Sequence, residues 1–279
     1  MKLVMTLVVR DEADILPAQL HYHRAQGVDF FLVLDHRSVD GTREQLLHYE
    51  QLGWLKWFAT DQLQRDQGHW VTALAQRAFL EHQADWVINN DADEFWWSHS
   101  GSLKHHLQHI APQYRLVYAP RTNFWAPDVP DDPRPFWEQQ IYQQAEALNF
   151  LGAPLSGKIC HRGEKAIVVH HGNHSVDPMT PEDIAPLKTP PDLEIFHFPL
   201  RHYAQFEQKV RNGGGSWVAN RQLSAEIGKG KRHLYTLYLS GQLPAFYEQW
   251  QAHHQTHNRK ENTLFRDYMK KINHELTQN

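Results

Sequence analysis

Four short apolar runs, Leu3 to Val9, Phe30 to Leu34, Leu55 to Phe58 and Trp86 to Asn90, recur along the first third of the chain with helix-like stretches between them. Such runs, bounded by turn residues, read as buried strands. Asp11 or Asp14 caps the first intervening helix, which has Pro17 in its first turn and Gly27 at its end. Helices are likewise expected over Arg43 to Gln51 and Trp70 to Gln83. Strand and helix in regular alternation give a parallel sheet, because right-handed crossovers return each strand in the same direction. Val9, Asp35, Phe58 and Asn90 then share one edge, the edge beyond which open α/β sheets bind ligands.

That edge gathers Asp11, Glu12, Asp35, Asp91, Asp93 and Glu94. On extended backbone Asp91 and Asp93 point the same way, with Ala92 turned from them. Two converging carboxylates repel unless a cation lies between them. Hard divalent ions, Mg²⁺ or Mn²⁺, suit such a pair and share it with substrate phosphates. The plain alternatives are a solvated loop for the Asp-X-Asp and a helix cap for Asp35.

The length of 279 residues accommodates one large α/β domain and a helical extension, expected here over 1–200 and 201–279. Ten Trp, ten Tyr and 13 Phe exclude a disordered chain. A single cysteine, Cys160, excludes an intramolecular disulfide and fits a reducing compartment. No apolar run approaches the roughly 18 residues of a membrane span. A cytoplasmic protein is therefore expected, at most peripheral to the inner face of a membrane, with no nucleic-acid partner. Residues 201–279 hold 12 Lys and Arg against 6 Asp and Glu, while the chain as a whole carries a net charge of -4. A basic C-terminal segment suits phosphates, an anionic acceptor or a membrane surface, although a solvated helical face explains it equally.

Three motifs, Leu7-Val8-Val9-Arg10-Asp11-Glu12, Leu34-Asp35-His36-Arg37-Ser38-Val39-Asp40-Gly41-Thr42 and Asn90-Asp91-Ala92-Asp93-Glu94-Phe95, resemble those of the GT-A glycosyltransferases of the family 2 type. The likeness covers residues 3 to 97. It departs at the first loop, where that family often has Pro, Tyr and Asn and this chain has Val9, Arg10 and Asp11. The resemblance implies a nucleotide-sugar donor, a UDP-sugar, and transfer with inversion to a glycan or glycolipid acceptor. It implies a nucleotide held by Arg10, Asp11, Glu12 and Asp35 over Thr6, with Asp91 on the ribose and Gln67 near the base. It also implies Mn²⁺ or Mg²⁺ on Asp91 and Asp93, with a third ligand from a late histidine.

Two late segments supply that histidine: His170-His171-Gly172-Asn173-His174 and Ile195-Phe196-His197-Phe198. His197 is preferred, since Arg201 and Lys209 follow it and, with Lys158, suit a diphosphate. Between them Pro120 to Pro135 holds five prolines around Asn123-Phe124-Trp125 and reads as an acceptor-side loop. Inversion in one displacement needs a base for the acceptor hydroxyl, for which Glu94 and His174 are the candidates. The run Gly213-Gly214-Gly215 reads as a hinge or a backbone approach to phosphate. Two other classes compete: a nucleotidyltransferase or metal-dependent phosphohydrolase on a similar sheet, and a sugar-binding module without catalysis. The absence of glycine from Val8 to Glu12 counts against the nucleotidyltransferase, and the carboxylate cluster against the binding module.

Overall fold

The computed structural model describes residues 1–62, 66–129, 131–219, 228–257 and 260–278. Its described elements run β1 (Leu3–Val9), α1 (Leu16–Ala25), β2 (Phe30–Asp35), α2 (Thr42–Gln51), β3 (Leu55–Ala59), α3 (Gln67–Leu80), β4 (Trp86–Asn90), β5 (Glu94–Ser98), α4 (Leu103–Gln108), β6 (Leu116–Ala119), β7 (Arg121–Trp125), α5 (Phe136–Gln139), β8 (Tyr142–Gln143) and β9 (Lys158–Arg162). They continue through β10 (Val168–Val169), β11 (Val176–Asp177), β12 (Leu193–His197), α6 (Tyr203–Lys209), α7 (Gly215–Ala219), α8 (Lys229–Leu239), α9 (Leu243–His257), β13 (Lys260–Glu261) and α10 (Leu264–Gln278). Two compact units result: Met1–Asp61 with Asp66–Arg121 and Ser156–Phe196, and Thr122–Leu155 with His197–Asn279 and Gln62–Arg65.

The first unit is α/β, as its strand and helix alternation requires. Its main sheet has the order β3-β2-β1-β4-β9-β6. The pairs β1–β2, β1–β4 and β2–β3 are parallel, whereas β9 runs antiparallel to both β4 and β6. Every residue of β1 is buried, so its apolar side chains serve both faces of a covered strand. On one face Val4, Val8, Leu32 and Val87 pack with Val71 and Leu74 of α3. Each such side chain contributes about 1.5–3 kcal/mol.

Beneath the end of β4 lies a buried polar network. The Asn90 amide donates to Glu94 O at 2.7 Å and accepts from the Trp96 indole at 3.0 Å. Trp96 N–H donates to His23 Nε2 at 3.2 Å, and His23 Nδ1–H donates to Gln19 O at 2.9 Å. Tyr22 OH reaches Trp96 O at 2.9 Å. Side chains of α1 and β4 thus fix where β5 begins.

In the second unit, Leu200, Phe206, Val210, Leu234, Leu243 and Tyr247 form a core lined by Phe150, Tyr203 and Trp250. The stretch after Pro120, expected as a loop, opens instead with β7, because a strand can start directly after a proline that donates no hydrogen bond. The glycine run, expected as a hinge or phosphate approach, lies across a wide helical turn over Val210–Gly214 and the first residue of α7. A Cβ on Gly214 would stand 2.5 Å from Tyr235 Cβ, so glycine there permits close helix packing. Among the described residues no helix is long and apolar enough to cross a membrane.

Candidate active site

The first two strands of the sheet end in loops that brace one another. Asp11, at φ 52°, donates its N–H to Ser38 Oγ at 2.9 Å and accepts from Val39 N–H at 2.8 Å. Glu12 N–H donates to Thr42 Oγ1 at 3.0 Å, and Ala13 N–H to Asp40 at 3.0 Å. Asp35 is fully buried and accepts from Ser38 N–H (3.2 Å) and Arg43 Nε (2.6 Å). Arg10 lies 3.8 Å from the Asp11 carboxylate. The Thr6 hydroxyl beneath is hydrogen-bonded to Asn89 at 2.8 Å. These expected nucleotide residues therefore come together, and Asp35 holds the turn before α2 without capping that helix, whose N-cap is Gly41.

At the end of β4 the chain does not stay extended. Glu94 N–H donates to Asp91 O at 3.2 Å, closing a turn over Asp91-Ala92-Asp93. Strand alternation therefore does not govern the motif, and Glu94 joins Asp91 at a shared cation. The ammonium of Lys158 lies 2.7 Å from Asp91 Oδ2 and 3.2 Å from Glu94 Oε2. Arg121 Nη1 reaches Glu94 Oε1 at 3.0 Å, and Gln67 Nε2, from the first turn of α3, donates to Asp91 Oδ1 at 3.2 Å. Lys158 is 1% exposed, while the Asp91 side chain is 30% exposed. Burial alone lowers the Lys158 ammonium, but Asp91 and Glu94 raise it above the ordinary lysine value. Burial pushes the Glu94 carboxyl up, with Lys158 and Arg121 opposing.

His174 faces the same charges. Its Nδ1–H donates to Gly157 O at 2.8 Å, which leaves Nε2 with a lone pair. Burial first, then Lys158, pulls its pKa down to about 4, so the ring is neutral at pH 7. Gly172, at φ 81°, makes room for it, since a Cβ there would meet the His174 ring at 2.7 Å. Gly157, whose carbonyl holds the ring, packs against β6, where a Cβ would meet Ala119 O at 2.2 Å. Gly157 N–H is in turn held by Tyr118 OH at 2.8 Å.

Hard carboxylate oxygens at an accessible turn match the chemistry of Mg²⁺ or Mn²⁺. The expected shell of Asp91, Asp93 and His197 is not assembled, however: among the described residues no three His, Cys, Asp or Glu groups are placed to hold an ion. His197 belongs to the second unit, where Nδ1 bonds Asn123 Oδ1 at 2.8 Å. The two carboxylates fit a divalent ion only where substrate phosphates complete the shell, the usual arrangement for Mg²⁺. Arg201 and Lys209 also lie in the second unit, Arg201 buried before α6 and Lys209 closing it. Asp128 there accepts from Tyr203 N–H at 3.0 Å and Tyr247 OH at 2.9 Å.

The sequence does not single out Arg121, Tyr118 or Gly157, and it shows Gly172 only as part of a histidine-rich motif. Gly157 directly before the strand-opening Lys158, and Gly172 two residues before His174, were the available signals.

Among solved structures the chain is similar to S. aureus TarS 1-349 in complex with UDP-GlcNAc, at 14% identity over 80% of this chain and 68% of that one, TM-score 0.44. It is also similar to the mannosyltransferase PcManGT from Pyrobaculum calidifontis in complex with GDP-Man and Mn²⁺, at 13% identity over 97% and 84%, TM-score 0.39. No curated protein matches it. The family 2 likeness of the three motifs ends at residue 97, whereas a family model matches residues 5–279. That match identifies the chain as a member of glycosyltransferase family 92.

Proposed function

We propose that this glycosyltransferase moves a sugar from a nucleotide-sugar donor, a UDP-sugar, to a glycan or glycolipid acceptor with inversion. The observation that carries the reading is the convergence of Asp91, Glu94, Lys158, Arg121 and neutral His174 beyond the sheet edge. The braced loops of β1 and β2 would receive the nucleotide through Arg10, Asp11, Glu12 and Asp35, with Gln67 and Asp91 toward base and ribose. Residues 1–200 would carry the donor site and residues 201–279 a helical extension, with Arg201 and Lys209 as further groups for the diphosphate.

In a single displacement the acceptor oxygen bonds the anomeric carbon while the bond from that carbon to the diphosphate oxygen breaks. The electron pair leaves with the diphosphate, and the acceptor proton goes to His174 Nε2. Lys158 offers its ammonium to the charge that develops on the leaving group. Glu94, held by both Lys158 and Arg121, orients the ammonium. A divalent ion on Asp91 and Asp93 would neutralise further diphosphate charge when bound.

The test is release of nucleoside diphosphate from a panel of nucleotide sugars, with and without sugar acceptors, in Mn²⁺, Mg²⁺ and EDTA. Acceptor-stimulated release that His174→Ala lowers at least a hundredfold supports the reading. Unchanged transfer by His174→Ala removes it as base, and a retained anomeric configuration rejects single displacement. A chain that binds and cleaves no nucleotide sugar rejects the whole reading.

A further inference from the structure

The first carboxylate of the Asp-X-Asp is answered by an ammonium of the chain itself. Lys158 Nζ is 2.7 Å from Asp91 and 3.2 Å from Glu94 and is sealed from water. It is set at the first position of β9, paired with Ala119 of β6, and from Cys160 onward β9 pairs with β4 as well. Sixty-seven residues separate Lys158 from Asp91, so the contact is a product of the sheet and not of a local turn.

We propose that Lys158 is a resident counter-ion that keeps a divalent cation off the Asp-X-Asp until a nucleoside diphosphate arrives, so that cation and donor bind as one coupled unit. The proposal rests on the nucleotide-sugar reading above. Charge counting supports it. Asp91, Asp93 and Glu94 against Lys158 and Arg121 leave one negative charge at the turn. A divalent ion alone would reverse that sign beside two buried cations. A diphosphate diester alone would add two negative charges beside three carboxylates. The two together change nothing in net charge, and the ammonium gains phosphate oxygens as it yields Asp91. Gln67 holds the other Asp91 oxygen at 3.2 Å, so the carboxylate keeps its place as one partner replaces another.

Isothermal titration calorimetry with Mn²⁺ and UDP or GDP tests this on the full chain. In the wild type, Mn²⁺ alone should bind at least tenfold more weakly than Mn²⁺ in the presence of saturating UDP, and UDP should show the reciprocal dependence, as linkage demands. Lys158→Met should tighten Mn²⁺ binding without nucleotide at least tenfold and shrink the coupling. Lys158→Gln, whose amide still donates to both carboxylates, gives the same reading if the methionine variant does not fold. Mn²⁺ binding that is equally tight with and without nucleotide overturns the proposal, as does an unchanged Mn²⁺ affinity in the folded Lys158 variant. UDP binding that is identical in EDTA and Mn²⁺ also overturns it while leaving the donor reading intact. Failure of UDP and GDP to bind under every condition rejects the donor reading, and the proposal with it.

Discussion

Two groups of carboxylates end the strands of one sheet, and they are answered by different chemistry. Asp11 and Asp35, beyond β1 and β2, are met by the backbone N–H groups of Val39 and Ser38 and, at Asp35, by the partly exposed Arg43. Asp91 and Glu94, beyond β4, are met by the buried cations Lys158 and Arg121. Backbone donors cannot leave without unfolding their loop. A side-chain cation can exchange one anion for another. The carboxylates of the first group are fixed into a scaffold of braced loops, and those of the second are held by side-chain cations able to change partners.

The sharpest way to break this comparison is to remove the ammonium. Lys158→Met leaves Asp91 and the fully buried Glu94 short of a cation, and truncating one partner of a buried ion pair costs about 3–5 kcal/mol. Adding Glu94→Gln should recover a substantial part of that loss, since the second unpaired charge is gone. Urea denaturation of the single and double variants measures both, and a double variant no more stable than the single one would show that Glu94 is not the group Lys158 compensates.

At the other group the expected loss is smaller. Arg43→Ala removes one charged hydrogen bond to Asp35, worth about 1.5–3 kcal/mol, but Ser38 N–H stays in place. The stability change should therefore stay below that of Lys158→Met. A larger loss would mean that Asp35 depends on its cation as Asp91 does, and the contrast between the groups would fail.

Much of the scaffold was legible from one sequence, and much of the responsive group was not. The strands Leu3–Val9 and Trp86–Asn90 follow from apolar runs stopped by polar residues, because burial on both faces leaves that trace locally. Asp11, Asp35 and Asp91 were placed at one edge because parallel crossovers leave no other arrangement. Period-two alternation paired Asp91 with Asp93, but the chain turns at Asp91 and the partner that shares its cation is Glu94. Lys158 reads from the sequence as a diphosphate candidate, yet its contact with Asp91 depends on an antiparallel β9 that no local pattern announces. Arg121 stood in a proline-rich stretch that reads as loop.

The network under the Asp91 turn gives a pH signature. His23 is buried and neutral, its pKa pulled down by burial to about 3. An unfolded histidine titrates near 6.5, so the unfolded state binds the extra proton first. Stability is whole above about pH 6.5 and falls as the pH drops toward 3, by roughly 2 kcal/mol between pH 7 and pH 5 from this residue. A His23→Gln variant should lack that increment, as urea midpoints at pH 7 and pH 5 would reveal. An equal acid loss in the variant would place the titration elsewhere.

The smallest expected effect bears most directly on the claim that the first group is scaffold. Ser38 Oγ accepts from Asp11 N–H at 2.9 Å, a neutral bond between the two braced loops. Ser38→Ala leaves that N–H without its acceptor at a partly buried position, which costs about 1 kcal/mol. Ser38 N–H is a backbone group, so its bond to Asp35 survives the substitution. The carboxylates keep their places, and nucleoside diphosphate affinity should stay within about twofold of wild type, less than the tenfold that 1.4 kcal/mol represents. Calorimetry with UDP beside a thermal melt checks both halves. If affinity fell tenfold while the melt was unchanged, the Ser38 hydroxyl would be a ligand contact, and the β1–β2 loops would respond to the donor as directly as the turn at Asp91.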